Sequence, residues 1–215
     1  MDGDTAPLPE IVNIAKRYDA ILMVDDAHAT GVFGKQGKGM IEHCGLEGKI
    51  DIVMGSLSKA VGSIGGFIAG SKPLIDFLKN KARPFIYTTA LPPAVCAASM
   101  AGLTLIQEDV SLIDTLWKNI AFLKSRLSTF MDTIAGESPI VPLIVGSAED
   151  AVNLSTKRYQ NGILIPAIRP PTVPPGTSRL RISLMATHSA DDINRLIDIL
   201  QYVGFLTREH VKDVC

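Results

Sequence analysis

The hydrophobic pattern of the first half of the chain alternates between strand-length apolar runs and polar turns. Three such runs stand out, "AILMVDDAH", "KIDIVMGS" and "GGFIAG", each bounded by turn-forming residues. A helix precedes the first run, because Ile11, Ile14 and Ala15 recur at helical spacing up to about Arg17. Since the strands are nearly continuous in apolar residues, they predict a sheet covered on both faces.

Helical spacing dominates the stretch that follows. It predicts a short helix in "LIDFLKNK", a loop in "ARPFIYTTALPP", and two long helices at about 94–107 and 112–130. Beyond residue 135, short strands and helices alternate. Strands are predicted at 140–145 and in "GILIPAI" and "SRLRISL", with a helix from about Ala148 between the first two.

The last predicted helix has the clearest start signal in the chain. Ser189 and Asp192 have the spacing of a capping box. An apolar stripe follows, formed by Ile193, Leu196, Ile197 and Leu200. The pattern as a whole predicts an α/β protein with a partial large α/β domain at 1–108, a linking helix at 109–134 and a small α+β domain at 135–215.

Composition and charge narrow the class of protein. The 215 residues are 47% hydrophobic, which is enough for a substantial core, and 21 basic against 22 acidic residues give a net charge of −1. Without a long basic run, no nucleic-acid partner is expected. The N-terminal "MDGDTAPLPE" is unlike a signal peptide, and no uncharged stretch reaches about 18 residues, so we expect no membrane partner.

Cysteine usage points to the cytoplasm. Cys44, Cys96 and Cys215 lie far apart and show neither a CxxC motif nor metal-ligand spacing. We therefore expect a reducing compartment, no disulfide framework and no metal site.

Two segments suggest three common site motifs, but their spacing fits none of them. The segment "GVFGKQGKG" lacks the spacing of a phosphate-binding loop and of a dinucleotide-binding glycine motif, so it is interpreted as a surface turn. The segment "GSLSK" does not fit the G-x-S-x-G nucleophile elbow.

A stronger signal is the combination of "VDDAH" at the end of one strand with "SLSK" after the next. Asp25 and His28 leave the sheet where α/β proteins place their ligands. Taken singly, an aspartate after a strand is often a turn residue, and a histidine or a lysine such as Lys59 is often structural or solvated. Together they match pyridoxal 5′-phosphate (PLP), which needs a lysine amine, an acid for its ring nitrogen and donors for its oxygens.

The residues around Lys59 suit the same cofactor. They are small, which leaves room for a flat ring beside the backbone, and several carry hydroxyl groups or lie in turns whose amides can face a phosphate. These residues are Ser56, Ser58, Ala60, Gly62 and Ser63.

Four ordered segments resemble a known family over nearly the whole chain. "VDDAHATGVFGKQGKG", "SLSKAVGSIGGFIAG", "FIYTTALPP" and "IRPPTVPPGTSRLRISLMATH" resemble the α-oxoamine synthases of the fold-type I PLP-dependent superfamily. The resemblance implies the C-terminal portion of an aspartate aminotransferase-like large domain, followed by a small α+β domain.

The resemblance also implies a role for each residue of the cofactor site. Lys59 would attach PLP and later move protons at the α-carbon of the substrate. Asp25 would pair with the pyridine nitrogen, and His28 would hydrogen-bond to the phenolic oxygen. Ser56 would contact the phosphate or the ring oxygen.

Further positions follow from the same resemblance. Thr88 and Thr89 would reach the phosphate of the neighbouring subunit's cofactor, which implies a homodimer. Arg169 and Arg181 would surround the carboxylate of the amino-acid substrate, because a guanidinium can bind two oxygens at once; a surface ion pair is the structural alternative. Arg179 faces the same side of its strand as Arg181, and a purely structural role is open for it.

The implied reaction is a decarboxylative condensation of L-alanine with a pimeloyl thioester, carried by coenzyme A or by an acyl carrier protein, in biotin biosynthesis. Sister activities share most of these patterns and stay open: glycine C-acetyltransferase, serine palmitoyltransferase and 5-aminolevulinate synthase. The resemblance begins in the middle of the family's chain. We therefore expect a fragment or truncated product, and a non-catalytic remnant that pairs through "YTTALPP" is a further alternative.

Overall fold

A computed structural model describes residues 1–131 and 134–206, and Cys215 lies outside this part of the chain. These residues divide into two compact units. One is Pro7–Ile113, and the other joins Met1–Ala6 to the chain from Asp114 onward. The domain boundaries expected from the sequence stay a prediction. Within the described ranges, no helix combines the length and apolarity required to cross a bilayer.

The unit at 7–113 is built on a three-stranded sheet. Its strands are β1 (Met23–Asp25), β2 (Ile52–Ser56) and β3 (Gly66–Gly70), in the order β1-β2-β3. β1 pairs with β2 in parallel, and β3 pairs with β2 antiparallel. β3 is mostly exposed, so the expectation of a sheet covered on both faces is wrong for this strand within the described residues.

Five helices belong to the same unit. They are α1 (Leu8–Arg17), α2 (Met40–His43), α3 (Lys72–Lys81), α4 (Arg83–Ile86) and α5 (Pro93–Glu108). α1 and α2 share a core cluster of Leu8, Val12, Ile41 and Leu46. The prediction of a continuous loop in "ARPFIYTTALPP" is wrong at α4, where a proline at the first turn begins a short helix without loss of a needed amide.

The second unit contains the sheet β4-β6-β5, in which both pairings are antiparallel. Its strands are β4 (Ile140–Gly146), β5 (Ala167–Ile168) and β6 (Ser178–Ser183). The helices are α6 (Ser111–Leu127), which extends to both sides of the division at Asp114, α7 (Ala148–Gln160) and α8 (Ala190–Tyr202). The predicted helix at 112–130 extends three residues beyond the observed end of α6. Only two residues of "GILIPAI" form a strand, and these are the residues of β5.

Apolar side chains of the sheet and helices form the core of this unit. The largest of those that are almost fully buried are Leu123, Leu127, Val141, Leu143, Leu180, Ile193, Ile197 and Leu200. The capping box at Ser189 and Asp192 is confirmed, with both reciprocal hydrogen bonds formed. All four predicted residues of the apolar stripe on α8 are buried. Three of them, Ile193, Ile197 and Leu200, are among the almost fully buried side chains.

One charged residue lies within this core. Arg158 is fully buried, its guanidinium lies 5.4 Å from the centre of the Phe205 ring, and it has no hydrogen-bond partner among the described residues. Burial disfavours the charged form and lowers the pKa of Arg158 to about 10. The contact of the guanidinium with the face of the Phe205 ring offsets this cost of burial.

Burial predicts a large difference between two leucines of this unit. Leu143 is 0% exposed and Leu164 is 78% exposed. Leu143→Ala should lower the free energy of unfolding by about 2–5 kcal/mol because it leaves a cavity, whereas Leu164→Ala should change it by less than about 0.5 kcal/mol. Urea unfolding of both variants measures the difference, and equal losses would contradict the described core.

Candidate active site

The parallel pair β1 and β2 brings two candidate segments to one edge of the sheet. Asp25 is the last residue of β1 and lies opposite Met54 of β2, and Ser56 is the last residue of β2. The carboxyl ends of parallel strands meet at the same edge, where α/β proteins bind ligands. The Asp25 side chain is exposed, and its Oδ1 accepts a hydrogen bond from the amide of Ala27 at 3.0 Å.

The segment after β1 forms a compact turn that presents His28. The amides of Ala29 and Thr30 donate to the carbonyl oxygen of Asp26 at 3.0 and 2.9 Å. Further along, the amide of Gly31 donates to the carbonyl oxygen of Gly37 at 2.8 Å. His28 is exposed at this turn.

The segment after β2 forms a second turn, and Lys59 lies on it. The amide of Leu57 donates to the carbonyl oxygen of Gly65 at 2.9 Å, and the amide of Ser63 donates to that of Leu57 at 2.7 Å. The amide of Gly62 donates to the carbonyl oxygen of Lys59 at 3.0 Å. These bonds close the turn at its base and leave the Lys59 side chain exposed.

Two hydroxyl groups lie at the entrance to this turn. The Oγ atoms of Ser56 and Ser58 are 2.8 Å apart, and the amide of Ser58 donates to Ser56 Oγ at 3.2 Å. These two hydroxyl groups lie three residues and one residue before Lys59.

The two turns contact each other at Gly31. A Cβ atom placed on Gly31 would lie 2.7 Å from Ala60 Cβ and 3.0 Å from Ile106 Cδ1. Ala60 directly follows Lys59, and Ile106 belongs to α5. The turn that carries His28 therefore packs against the turn that carries Lys59, and α5 lies against both.

α5 also holds the lysine turn through hydroxyl groups. Ser63 Oγ donates to the carbonyl oxygen of Val95 at 3.1 Å. The buried Ser99 Oγ lies 2.9 Å from both Ser63 Oγ and the same carbonyl oxygen. Sequence reasoning did not identify Ser99, because a serine inside an apolar helix carries no pattern that links it to a distant turn.

Sequence reasoning also missed Asp26. Its side chain is buried, and both carboxylate oxygens lie 3.1 Å from the amide of Met40. Burial raises the pKa of Asp26, opposed by the hydrogen bond from Met40, and the nearby charge of Asp25 raises the pKa further. The alternation of side chains at a strand end was the available signal, since consecutive residues face opposite sides.

Thr88 and Thr89 lie in the exposed segment between α4 and α5. This segment passes close to the lysine turn, because a Cβ atom placed on Gly65 would lie 3.4 Å from Leu91 Cδ1. Both threonines are therefore accessible on the same unit as Lys59.

The candidate arginines belong to the other unit and differ in their surroundings. Arg179 is buried and forms an ion pair with Asp2. Arg181 Nη1 lies 3.7 Å from Met1 Sδ, and the buried Arg181 Nε has no hydrogen-bond partner among the described residues. Arg179 therefore has a structural partner, whereas Arg181 has no carboxylate partner in the described part of the chain.

Arg169 is exposed and directly follows β5, beside a small pocket formed by residues 167–172. The register pairs Ile168 with Arg179, so the next position along β5 lies opposite Ser178. Arg181 is three residues away from that position, which is about 10 Å along the strand. The backbone register therefore does not place Arg169 directly beside Arg181.

The parallel strand pair thus brings the turns that carry a lysine, a carboxylate and two hydroxyl groups to one edge of an α/β sheet. Residues 1–200 match the model of the family described as aminotransferase class I and II, and the chain belongs to that family. The members of this family that the chain resembles are α-oxoamine synthases.

Three relatives illustrate this similarity. The 8-amino-7-oxononanoate synthase of Methylobacillus flagellatus is 48% identical over 202 residues, which cover 93% of this chain and 51% of that protein. A serine palmitoyltransferase solved with a PLP internal aldimine is 35% identical, with a TM-score of 0.90 over 95% of this chain and 52% of that one. The 8-amino-7-oxononanoate synthase of Francisella tularensis is 28% identical, with a TM-score of 0.81 over 95% of this chain and 60% of that one.

The matched region includes most of this chain but a much smaller part of each relative. The chain spans about half the length of the curated relatives that it matches. The similarity extends through both the lysine turn and the arginine strand, since 95% of the chain is included.

The contact between the two turns predicts unequal effects of two glycine substitutions. Gly31 and Gly48 have φ values of +77° and +74°, but a Cβ atom on Gly48 would have no atom within 4 Å. Both changes to alanine should cost about 1 kcal/mol for the left-handed backbone. Gly31→Ala should lower the free energy of unfolding by about 1–3 kcal/mol more, because it crowds Ala60 and Ile106. Urea unfolding compares them, and equal losses would contradict the contact.

Proposed function

We propose that this chain carries the lysine-bearing part of a PLP-dependent α-oxoamine synthase. The observation that carries the proposal is the contact of Gly31 with Ala60. Through this contact, the turn that follows Asp25 and contains His28 lies against the turn that contains Lys59. Homology to the α-oxoamine synthases supports the same assignment.

The donor set of this edge fits the functional groups of PLP. The cofactor has an aldehyde, a pyridine nitrogen, a phenolic oxygen and a phosphate, and the edge offers an amine, a carboxylate, an imidazole and two hydroxyl groups. Space is also available, because a Cβ atom on Gly62, three residues after Lys59, would meet nothing within 4 Å. When bound, PLP supplies an electron-withdrawing ring that stabilises negative charge at the α-carbon of an amino acid.

Each residue then has one role. Lys59 attaches the cofactor and moves the proton at the α-carbon of the amino acid. Asp25 keeps a proton on the ring nitrogen, which its carboxylate stabilises by charge. His28 donates a hydrogen bond to the phenolic oxygen, and Ser56 donates one to the phosphate or the ring oxygen.

The amino-acid carboxylate is assigned to Arg181. Its buried Nε lacks a partner among the described residues, and a guanidinium binds a carboxylate through two parallel hydrogen bonds. Arg169 is the second candidate, since its side chain is exposed beside the small pocket at 167–172. Arg179 is assigned a structural role because Asp2 already neutralises it.

The reaction we assign is the decarboxylative condensation of L-alanine with a pimeloyl thioester, of coenzyme A or of a carrier protein, to give 8-amino-7-oxononanoate. The names of relatives that are 42–50% identical support this product. Such a step belongs to biotin biosynthesis, which we place in the cytoplasm. The proposed assembly is a homodimer in which the exposed Thr88 and Thr89 contact the partner's cofactor phosphate.

One observation favours a second candidate. The structural match to serine palmitoyltransferase has a TM-score of 0.90, against 0.81 for the 8-amino-7-oxononanoate synthase of Francisella tularensis. A sister activity that uses serine or glycine with another acyl thioester is therefore the alternative.

Absorption spectroscopy with PLP tests the proposal. The purified chain should develop a visible band on titration with PLP, and Lys59→Ala should abolish it. Lys72→Ala is the matched control, because Lys72 is exposed and only forms an i,i+4 ion pair with Asp76; it should leave the band unchanged. A chain that gives no Lys59-dependent band would overturn the proposal and favour a non-catalytic subunit-pairing role.

Amino-acid titrations then separate the two candidate activities. L-alanine, glycine and L-serine are added in turn to the PLP-loaded chain. The proposal expects the largest spectral change and the tightest binding with L-alanine. A preference for serine or glycine would support the sister activity instead.

A further inference from the structure

The carboxylate of Asp26 connects two distant parts of the lysine-bearing unit. Asp26 is only 3% exposed, and both of its carboxylate oxygens lie 3.1 Å from the amide of Met40. Met40 is the first residue of α2, so this amide has no partner within the helix. The side chain of Asp26 therefore supplies the acceptor that the start of α2 lacks.

The backbone of Asp26 takes part in four further hydrogen bonds. Its amide donates to the carbonyl oxygen of Met54 in β2 at 2.8 Å. Its carbonyl oxygen accepts from the amides of Ala29 and Thr30 at 3.0 and 2.9 Å, and from Thr30 Oγ1 at 3.0 Å. One residue thus joins β2, the turn that carries His28 and the start of α2.

The space around the carboxylate leaves it little freedom. Gly39 lies so close that a Cβ atom at this position would overlap Asp26 Oδ2. A buried carboxylate is also costly unless it is hydrogen-bonded, so leaving the Met40 amide is unfavourable. The position of the Asp26 side chain is therefore determined both sterically and by hydrogen bonding.

We infer that Asp26 is a positioning residue whose buried carboxylate fixes the turn that presents Asp25 and His28 to the cofactor. Asp25 precedes it by one residue and His28 follows it by two, so a displacement of Asp26 moves both. This inference rests on the proposed function, because it concerns the same cofactor site.

Neighbouring carboxylates provide a contrast and a control. Glu42 accepts hydrogen bonds from the amides of Gln36 and Lys38, at the outer part of the loop that follows the His28 turn. Asp51 accepts one from the amide of Leu22 at 2.8 Å. Asp51 precedes the amino end of β2, opposite to the edge at which Lys59 lies. Asp51→Ala therefore removes a carboxylate-to-amide hydrogen bond at an exposed position away from the candidate site.

PLP titration of four variants tests the inference. Asp26→Ala should weaken the apparent affinity for PLP by about tenfold or more, since it removes a charged acceptor of the turn. Asp26→Asn keeps an acceptor oxygen and should restore most of that affinity. Met40→Pro removes the donated amide, keeps Asp26 intact and is tolerated at a first helical position, so it should weaken PLP binding as Asp26→Ala does. Asp51→Ala should stay within about twofold of the unchanged chain.

Amide hydrogen exchange of the PLP-free protein supplies a second readout. Peptides that cover residues 26–40 should exchange faster in Asp26→Ala and Met40→Pro, while peptides from α5 should not change. Faster exchange together with weaker PLP binding supports the inference. If Asp26→Ala does not fold, Met40→Pro decides by the same two readouts.

The outcomes separate this inference from the proposed function. Unchanged PLP affinity in Asp26→Ala or Met40→Pro, alongside Lys59-dependent binding by the unchanged chain, would overturn the positioning role and leave the function intact. Failure of Asp26→Asn to restore binding would also overturn it, because hydrogen-bond acceptance would then not be what matters. Absence of PLP binding by the unchanged chain would overturn both.

Discussion

The parallel pairing of β1 with β2 is the constraint on which the candidate site depends. Parallel strands direct their carboxyl ends to the same edge, so the pairing of Asp25 with Met54 places the two following turns side by side. An antiparallel pairing would send them to opposite edges. The contact of Gly31 with Ala60 then sets the approach of the two turns, and the hydroxyl groups of Ser63 and Ser99 attach the lysine turn to α5.

Each unit contains two residues of like charge that are close in sequence but differ in their surroundings. In the lysine-bearing unit, Asp26 is buried against the start of α2 and Asp25 is exposed. In the other unit, Arg179 is neutralised by Asp2, whereas Arg181 lacks a carboxylate partner among the described residues. In each case the buried residue connects segments that are distant in sequence, and its neighbour is the residue to which we assign contact with a ligand.

Local signals predicted much of the fold, and long-range contacts explain what they did not predict. The capping box at Ser189 depends on residues three apart, so its spacing was sufficient. α2 has only four residues and depends on a carboxylate 14 positions earlier, which no local pattern shows. The pairing of Arg179 with Asp2 spans 177 residues and was likewise invisible to local reasoning.

The residues of the candidate site were likewise predictable only where the signal was local. Asp25, His28 and Lys59 could be proposed because strand ends and turns are visible in the sequence, and the structure brings their turns together. Asp26 was not separated from Asp25 because the two are identical in type and adjacent. Only the fold shows which of them is buried.

The most direct test of the account is to identify the lysine that binds the cofactor. The chain is incubated with PLP, reduced with borohydride, digested and analysed by mass spectrometry. The account predicts one pyridoxyl phosphate group on the peptide that contains Lys59. Labelling of other lysines with Lys59 unmodified, or no labelling at all, would contradict it.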